Sequence, residues 1–199
     1  KEVATKFIAD RPDDNIGLVV FAGESFTQCP LTTDHGVLIN LLNAVKFGVI
    51  EDGTAIGLGL ANAVNRIKDS QAKSKVIILL TDGSNNRGDI APLTAAEIAK
   101  KFGIRVYTIA VGRHGMAPYP FHTPMGIQYQ NVPVEIDEDV LQQIAKMTGG
   151  SFFRATDNVT LSAIYGEIDQ MEKTKLQVRE YKKRNEEFFP YLLTAFLLL

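Results

Sequence analysis

Residues 75–88 read KVIILLTDGSNNRG. The run Val76-Ile77-Ile78-Leu79-Leu80 is apolar without a break, so it carries no inner and outer face. A strand of that kind is covered on both sides, the habit of parallel sheets inside α/β domains. It stops at Thr81-Asp82-Gly83-Ser84-Asn85-Asn86, a cluster of turn formers. Asp82 thus stands at the carboxyl end of a buried strand, where open α/β sheets bind their ligands. A turn-capping aspartate is the other reading of the same Asp-Gly pair.

The elements on either side extend the pattern. Upstream, Glu51-Asp52-Gly53-Thr54 leads into a helix with Ile56, Leu60, Ala63 and Ile67 on one face and Gly57 and Gly59 permitting close packing. Before it come an amphipathic helix over 1–10, a buried strand over 16–22 (IGLVVFA), an antiparallel return over 25–31 and a capped helix over 37–47. Downstream, a helix runs to Phe102 with Ala95, Ala96 and Ala99 inward, and Gly103 closes it. A buried strand follows over 104–111 (IRVYTIAV). Residues 112–134, rich in Gly, Pro and aromatics, show no period and read as a long loop. A helix capped within 135–139 runs through 147, a short strand covers 151–154, and Asp157-Asn158 caps a helix bearing Leu161, Ile164, Ile168 and Met171. The segment around Leu176, Val178 and Tyr181 reads as extended. Strands alternating with helices predict an α/β fold: a doubly wound, mostly parallel sheet with helices on both faces.

Composition narrows the function. At 199 residues the chain can bury a full core. A net charge of -2, with basic residues scattered, gives no footprint for nucleic acid. Cys29 is the single cysteine, which excludes an internal disulfide and cysteine-built zinc or iron–sulfur sites; it reads as a small core hydrophobe. There is no Gly-x-Ser-x-Gly elbow, Walker loop or strand-linked Gly-x-Gly-x-x-Gly, and His35, His114 and His122 lack metal-protease spacing. The expectation is therefore a protein that is not an enzyme.

Asp82 at a strand end and Thr54 at a helix start are hard oxygen donors. Such a pair suits Mg²⁺, which takes few protein ligands and keeps several waters. Thr54 can equally cap its own helix. Ser84, Asn85 and Asn86 can support the ligands by hydrogen bonds or serve only as turn residues.

Thr81-Asp82-Gly83 after VIILL, Asp52-Gly53-Thr54 before a helix, and IGLVVFAG near the start resemble a von Willebrand factor type A domain, in that family's order and over nearly the whole chain. The resemblance implies a metal-ion-dependent adhesion site, with Thr54 and Asp82 at the positions of its threonine and aspartate ligands. Mg²⁺, or Ca²⁺ or Mn²⁺ in its place, would be held there for a protein partner. The family's first motif, Asp-x-Ser-x-Ser after the first central strand, does not occur in these residues. The site is therefore expected to be partial, metal binding by this stretch weak or absent, and the sheet to lack its first central strand between 16–22 and 76–80.

Residues 112–157 and the stretch VREYKKRNEEFFPYLL more narrowly resemble BatA-like members of the Bat (Bacteroides aerotolerance) family. That resemblance implies a bacterial inner-membrane protein whose soluble domain is periplasmic and binds other proteins of the same system, in an aerotolerance or oxidative-stress complex. The expected organisation is a type A domain over 1–181, truncated at its start, and over 182–199 a juxtamembrane segment and the beginning of a transmembrane helix. The apolar run 188–199 is shorter than a span and otherwise reads as a buried helix. Lys182-Lys183-Arg184 alone would favour a cytoplasmic domain. Ser84, Asn85, Tyr119 and Phe121 are the expected partner-binding residues; the aromatics of 112–134 can instead cover the sheet end. A hydrolase using the same metal and a metal-free structural scaffold are the alternative functions.

Overall fold

The computed structural model describes residues 1–46, 48, 50–112, 115–123, 126–134 and 136–184. In chain order these form α1 (Glu2–Ala9), β1 (Ile16–Phe21), β2 (Ser25–Thr32), α2 (His35–Ala44), α3 (Ile56–Ile67), β3 (Val76–Thr81), α4 (Pro92–Lys101), β4 (Arg105–Val111), β5 (Gly115–Thr123), β6 (Gly126–Val134), α5 (Glu138–Thr148), β7 (Phe152–Ala155) and α6 (Asn158–Arg184). Two compact units divide the chain at Ile164 and Tyr165. The sheets and the candidate site belong to the first.

β4 carries the architecture. It runs parallel to β3, with Val76 opposite Arg105 and Thr81 opposite Ala110, and parallel to β7, with Thr108 opposite Phe152. Val106 through Ala110 are all buried, as a strand covered on both faces requires. Val106 and Ala110 join the core made with Ile56, Leu60 and Val64 of α3, Ala95, Ala96 and Ala99 of α4, and Leu141 and Ile144 of α5. On that face the Thr108 hydroxyl donates to the Leu141 carbonyl at 2.9 Å. Tyr107 points the other way, its ring tilted against Phe153 with centroids 6.5 Å apart. The fold is α/β with a parallel three-stranded sheet, as predicted.

β3 is the edge of that sheet. Among the described residues no strand pairs with its other side, and β1 pairs only with β2. This is the arrangement expected when the first central strand is lacking. It also explains why β3 is less covered than its sequence suggests: Leu79 and Thr81 are buried, while its other residues are half-buried. The β1–β2 ladder is antiparallel as predicted, and Cys29 on β2 packs with Ile8 of α1 and Leu38 of α2. Burial, and then the charge of Asp34, push the Cys29 thiol up, which suits a core hydrophobe.

Three expectations are corrected. Residues 112–134 hold an antiparallel hairpin, β5 with β6, from Gly115 opposite Val134 to Thr123 opposite Gly126. Pro118, Pro120 and Pro133 fall in one alternate set of pairs (Pro118 with Asn131, Pro120 with Tyr129, Met116 with Pro133). Alternate pairs of an antiparallel ladder exchange no N–H···O bonds, so proline is tolerated there. Second, α6 continues through Arg184 where an extended segment was expected. Its second half contains neither Gly nor Pro and is rich in Lys, Glu, Gln and Arg, which favour helix. An Asp169–Lys173 ion pair of 2.7 Å, one turn apart, supports it. Third, α2 stops at Ala44, because Val45 turns to ψ 127°.

One buried link is specific enough to test. The β7 ladder begins at Thr108, so the Val106 N–H lies beyond its reach. The Thr148 hydroxyl accepts that N–H at 3.1 Å and donates to the Ile144 carbonyl at 2.9 Å. Thr148→Val keeps the shape and orphans the buried N–H, at a cost of about 1–3 kcal/mol. Urea unfolding of the full-length protein should show that loss, with Thr148→Ser close to wild type. Equal stability of the valine variant would mean that the amide finds another partner.

Candidate metal site

The corner after β3 is set by its last residue. The buried Thr81 hydroxyl accepts the Gly83 N–H at 3.3 Å and lies 3.2 Å from the Gly83 carbonyl, to which it can donate. The chain therefore folds back within two residues, and Asp82 at the apex is exposed.

The Thr54 loop, between α2 and α3, is anchored beside the end of β1. The Gly23 N–H donates to the Glu51 carbonyl at 2.9 Å and the Ala55 N–H to the Ala22 carbonyl at 2.7 Å, which fixes residues 51–55 at the end of β1. Gly53 turns the loop with φ +139°, a conformation that side chains rarely adopt. The Thr54 hydroxyl then lies against Gly83: a Cβ on that glycine would stand 2.9 Å from Thr54 Oγ1. Thr54 thus lies against Gly83, the residue next to Asp82.

Thr54 does not cap its helix. The N-cap of α3 is Ala55, with no side-chain hydrogen bond of its own. The Gly57 N–H in the first turn is instead taken at 3.3 Å by Oδ1 of Asn85, reaching across from the loop after β3. Asn86 does the same for Thr54, accepting its N–H at 2.8 Å on Oδ1 and donating its own N–H to the Thr54 carbonyl at 3.0 Å. Among the described residues neither the Thr54 hydroxyl nor the Asp82 carboxylate has a hydrogen bond or ion pair.

A hydroxyl and a carboxylate with no internal partner, at one strand end, are hard donors of the kind Mg²⁺, Mn²⁺ or Ca²⁺ takes. They fit such an ion as part of a ligand set. No group of three or more His, Cys, Asp or Glu able to hold a metal occurs among the described residues.

The remaining expected site residues fall as follows. Ser84 is half-buried in the same loop, and Asn85 is turned toward α3. Tyr119 and Phe121 fall in β5, opposite Gln130 and Gln128. Because β3 and β4 are parallel, the hairpin that follows β4 starts from the same sheet edge as Asp82. At the end of β4, Arg154 donates to the Gly112 carbonyl at 3.1 Å and pairs with Glu138. His114 lies outside the described residues, as does the apolar run 188–199. Among the described residues no helix is long and apolar enough to cross a membrane.

A family model described as the von Willebrand factor type A domain matches residues 1–167. Among solved structures, BatB from Bacteroides thetaiotaomicron is similar with 29% identity and a TM-score of 0.72, over 86% of each chain. An aerotolerance-related membrane protein from Bacteroides fragilis is similar with 27% identity and a TM-score of 0.69, over 85% of this chain and 86% of that one. An uncharacterized protein of Borreliella burgdorferi is 28% identical across the whole of this chain, which spans 59% of that relative's length.

Proposed function

The chain belongs to the von Willebrand factor type A domain family, and from that premise we propose that it is the interaction module of a membrane-anchored protein, with Thr54 and Asp82 among the ligands of a divalent cation that a partner protein completes. The observation that carries this reading is a pair of oxygen donors, Asp82 after β3 and Thr54 against Gly83, that have no internal partner among the described residues. Neither group gives up a protein hydrogen bond to bind an ion, and the loops that bear them are tied to each other before any ligand arrives. Mg²⁺, or Mn²⁺ or Ca²⁺ in its place, would supply a positive charge to which an Asp or Glu carboxylate of the partner can bind.

The similar proteins support a setting for this role. The Bacteroides fragilis structure is described as an aerotolerance-related membrane protein, and the Bacteroides thetaiotaomicron structure as BatB. The reading places this chain in a Bat-type complex at the bacterial inner membrane, its domain on the periplasmic side. The apolar residues 188–199 would begin the membrane segment. The β5–β6 hairpin, which follows β4 in the chain and carries Tyr119 and Phe121, would widen the surface offered to the partner.

Affinity capture of the full-length protein from membranes tests this. Partners should be retained in Mg²⁺, released by EDTA, restored by added Mg²⁺, and lost in Asp82→Ala. Retention of the same partners by Asp82→Ala, or in EDTA, would sink the proposal.

A further inference from the structure

We infer that Asn86 is a positioning residue for the Thr54 hydroxyl and through it sets divalent-cation affinity; this rests on the metal reading above. Asn86 takes both backbone polar groups of Thr54: Oδ1 accepts the Thr54 N–H at 2.8 Å, and the Asn86 N–H donates to the Thr54 carbonyl at 3.0 Å. The Arg87 N–H adds a longer bond to the same carbonyl at 3.4 Å. Thr54 precedes the α3 N-cap, so the helix supplies neither bond. Its backbone is held by the loop that carries Asp82, and its hydroxyl is pressed against Gly83 of that loop. Two chain segments 32 residues apart are thereby locked to each other beside the residues that would hold the ion.

A packing role does not account for Asn86. Its side chain is exposed, so truncating it opens no cavity. Asn85 ties the same loop to Gly57, so the loop stays joined to α3 when Asn86 is lost. What Asn86→Ala removes is the bond that holds the Thr54 N–H, while the backbone bonds from residues 86 and 87 to the Thr54 carbonyl remain. Outer groups that orient a ligand are worth about 10- to 100-fold in metal affinity.

The test uses full-length protein and Mn²⁺ as the probe, read by electron paramagnetic resonance, with Asn86→Ala, Thr54→Ala, Asp82→Ala and the Asn86→Ala/Thr54→Ala double variant. Asn86→Ala should weaken Mn²⁺ about tenfold, leave the melting temperature of the metal-free protein near wild type, and speed exchange of the Thr54 amide hydrogen. In the Thr54→Ala background it should have little further effect, because the hydroxyl it positions is gone. An undiminished effect in that background, or unchanged Mn²⁺ affinity in Asn86→Ala while Asp82→Ala loses the ion, overturns the role of Asn86 and leaves the metal reading standing. Full Mn²⁺ affinity in Asp82→Ala overturns both.

Discussion

Gly57→Ala is expected to destabilise the protein by about 3 kcal/mol or more, the upper end for forcing extra volume into a packed interior. Gly57 is buried in the first turn of α3, and a Cβ there would run into the carbonyl oxygen of Ile90 and its carbon, with Ala91 close behind. These obstacles are backbone, so no rotamer change relieves them. Relief requires α3 to move off the segment that enters α4, and α3 packs Ile56, Leu60 and Val64 into the main core. Gly59 is the milder neighbour, since its added Cβ would meet the Phe21 ring, a side chain that can shift. Gly166 in α6 serves as the control. Nothing lies within 4 Å of an added Cβ there, so Gly166→Ala should stabilise by about 0.5–1 kcal/mol through helix propensity and unfolded-state entropy. Guanidinium unfolding of the three alanine variants of the full-length protein should rank them Gly57, Gly59, Gly166 from worst to best. Wild-type stability in Gly57→Ala would show that α3 yields easily. The close approach at Gly57 would then not be what fixes the spacing of the Thr54 and Asp82 loops.

Much of this was readable before any coordinates. The apolar runs 76–80 and 104–111 marked the parallel strands because strands buried on both faces carry no alternation. Gly57 and Gly59 inside a helical pattern marked a close contact, and the contacts are there, with Ile90 and with Phe21. Thr54 and Asp82 stood out as oxygen donors at a helix start and a strand end. The hairpin of 115–134 was hidden by its prolines, which break the propensity pattern while occupying ladder positions that need no donor. Isolated Leu176, Val178 and Tyr181 suggest an extended segment, but the absence of Gly and Pro is the better signal, and α6 continues through Arg184. The work of Asn85 and Asn86 could not be assigned from sequence. Asn after Asp-Gly is an ordinary turn residue, and only the fold shows their carboxamides reaching residues 28 and 32 positions away.

The second large effect concerns the ion itself. Asp82→Asn keeps the size and one carbonyl oxygen of the side chain and removes its charge. A hard divalent cation is bound largely by ligand charge, so that single change should weaken Mg²⁺ or Mn²⁺ by on the order of a hundredfold, about 2.7 kcal/mol. Thr54→Ala removes a neutral oxygen and should cost about tenfold, about 1.4 kcal/mol. Because the Asp82 carboxylate is exposed and makes no internal hydrogen bond among the described residues, its substitution should leave the fold's own stability within about 0.5 kcal/mol of wild type. Binding and folding are then separable, and a loss of affinity cannot be blamed on an unfolded sample.

The most direct measurement is a calorimetric titration of Mn²⁺ into full-length protein, wild type beside Asp82→Asn, with melting temperatures recorded for both. One ion per wild-type chain, a hundredfold weaker affinity in Asp82→Asn and matching melting temperatures are the expected result. No binding by the wild type, or equal affinity in the two proteins, would contradict the assignment of Asp82 as a metal ligand.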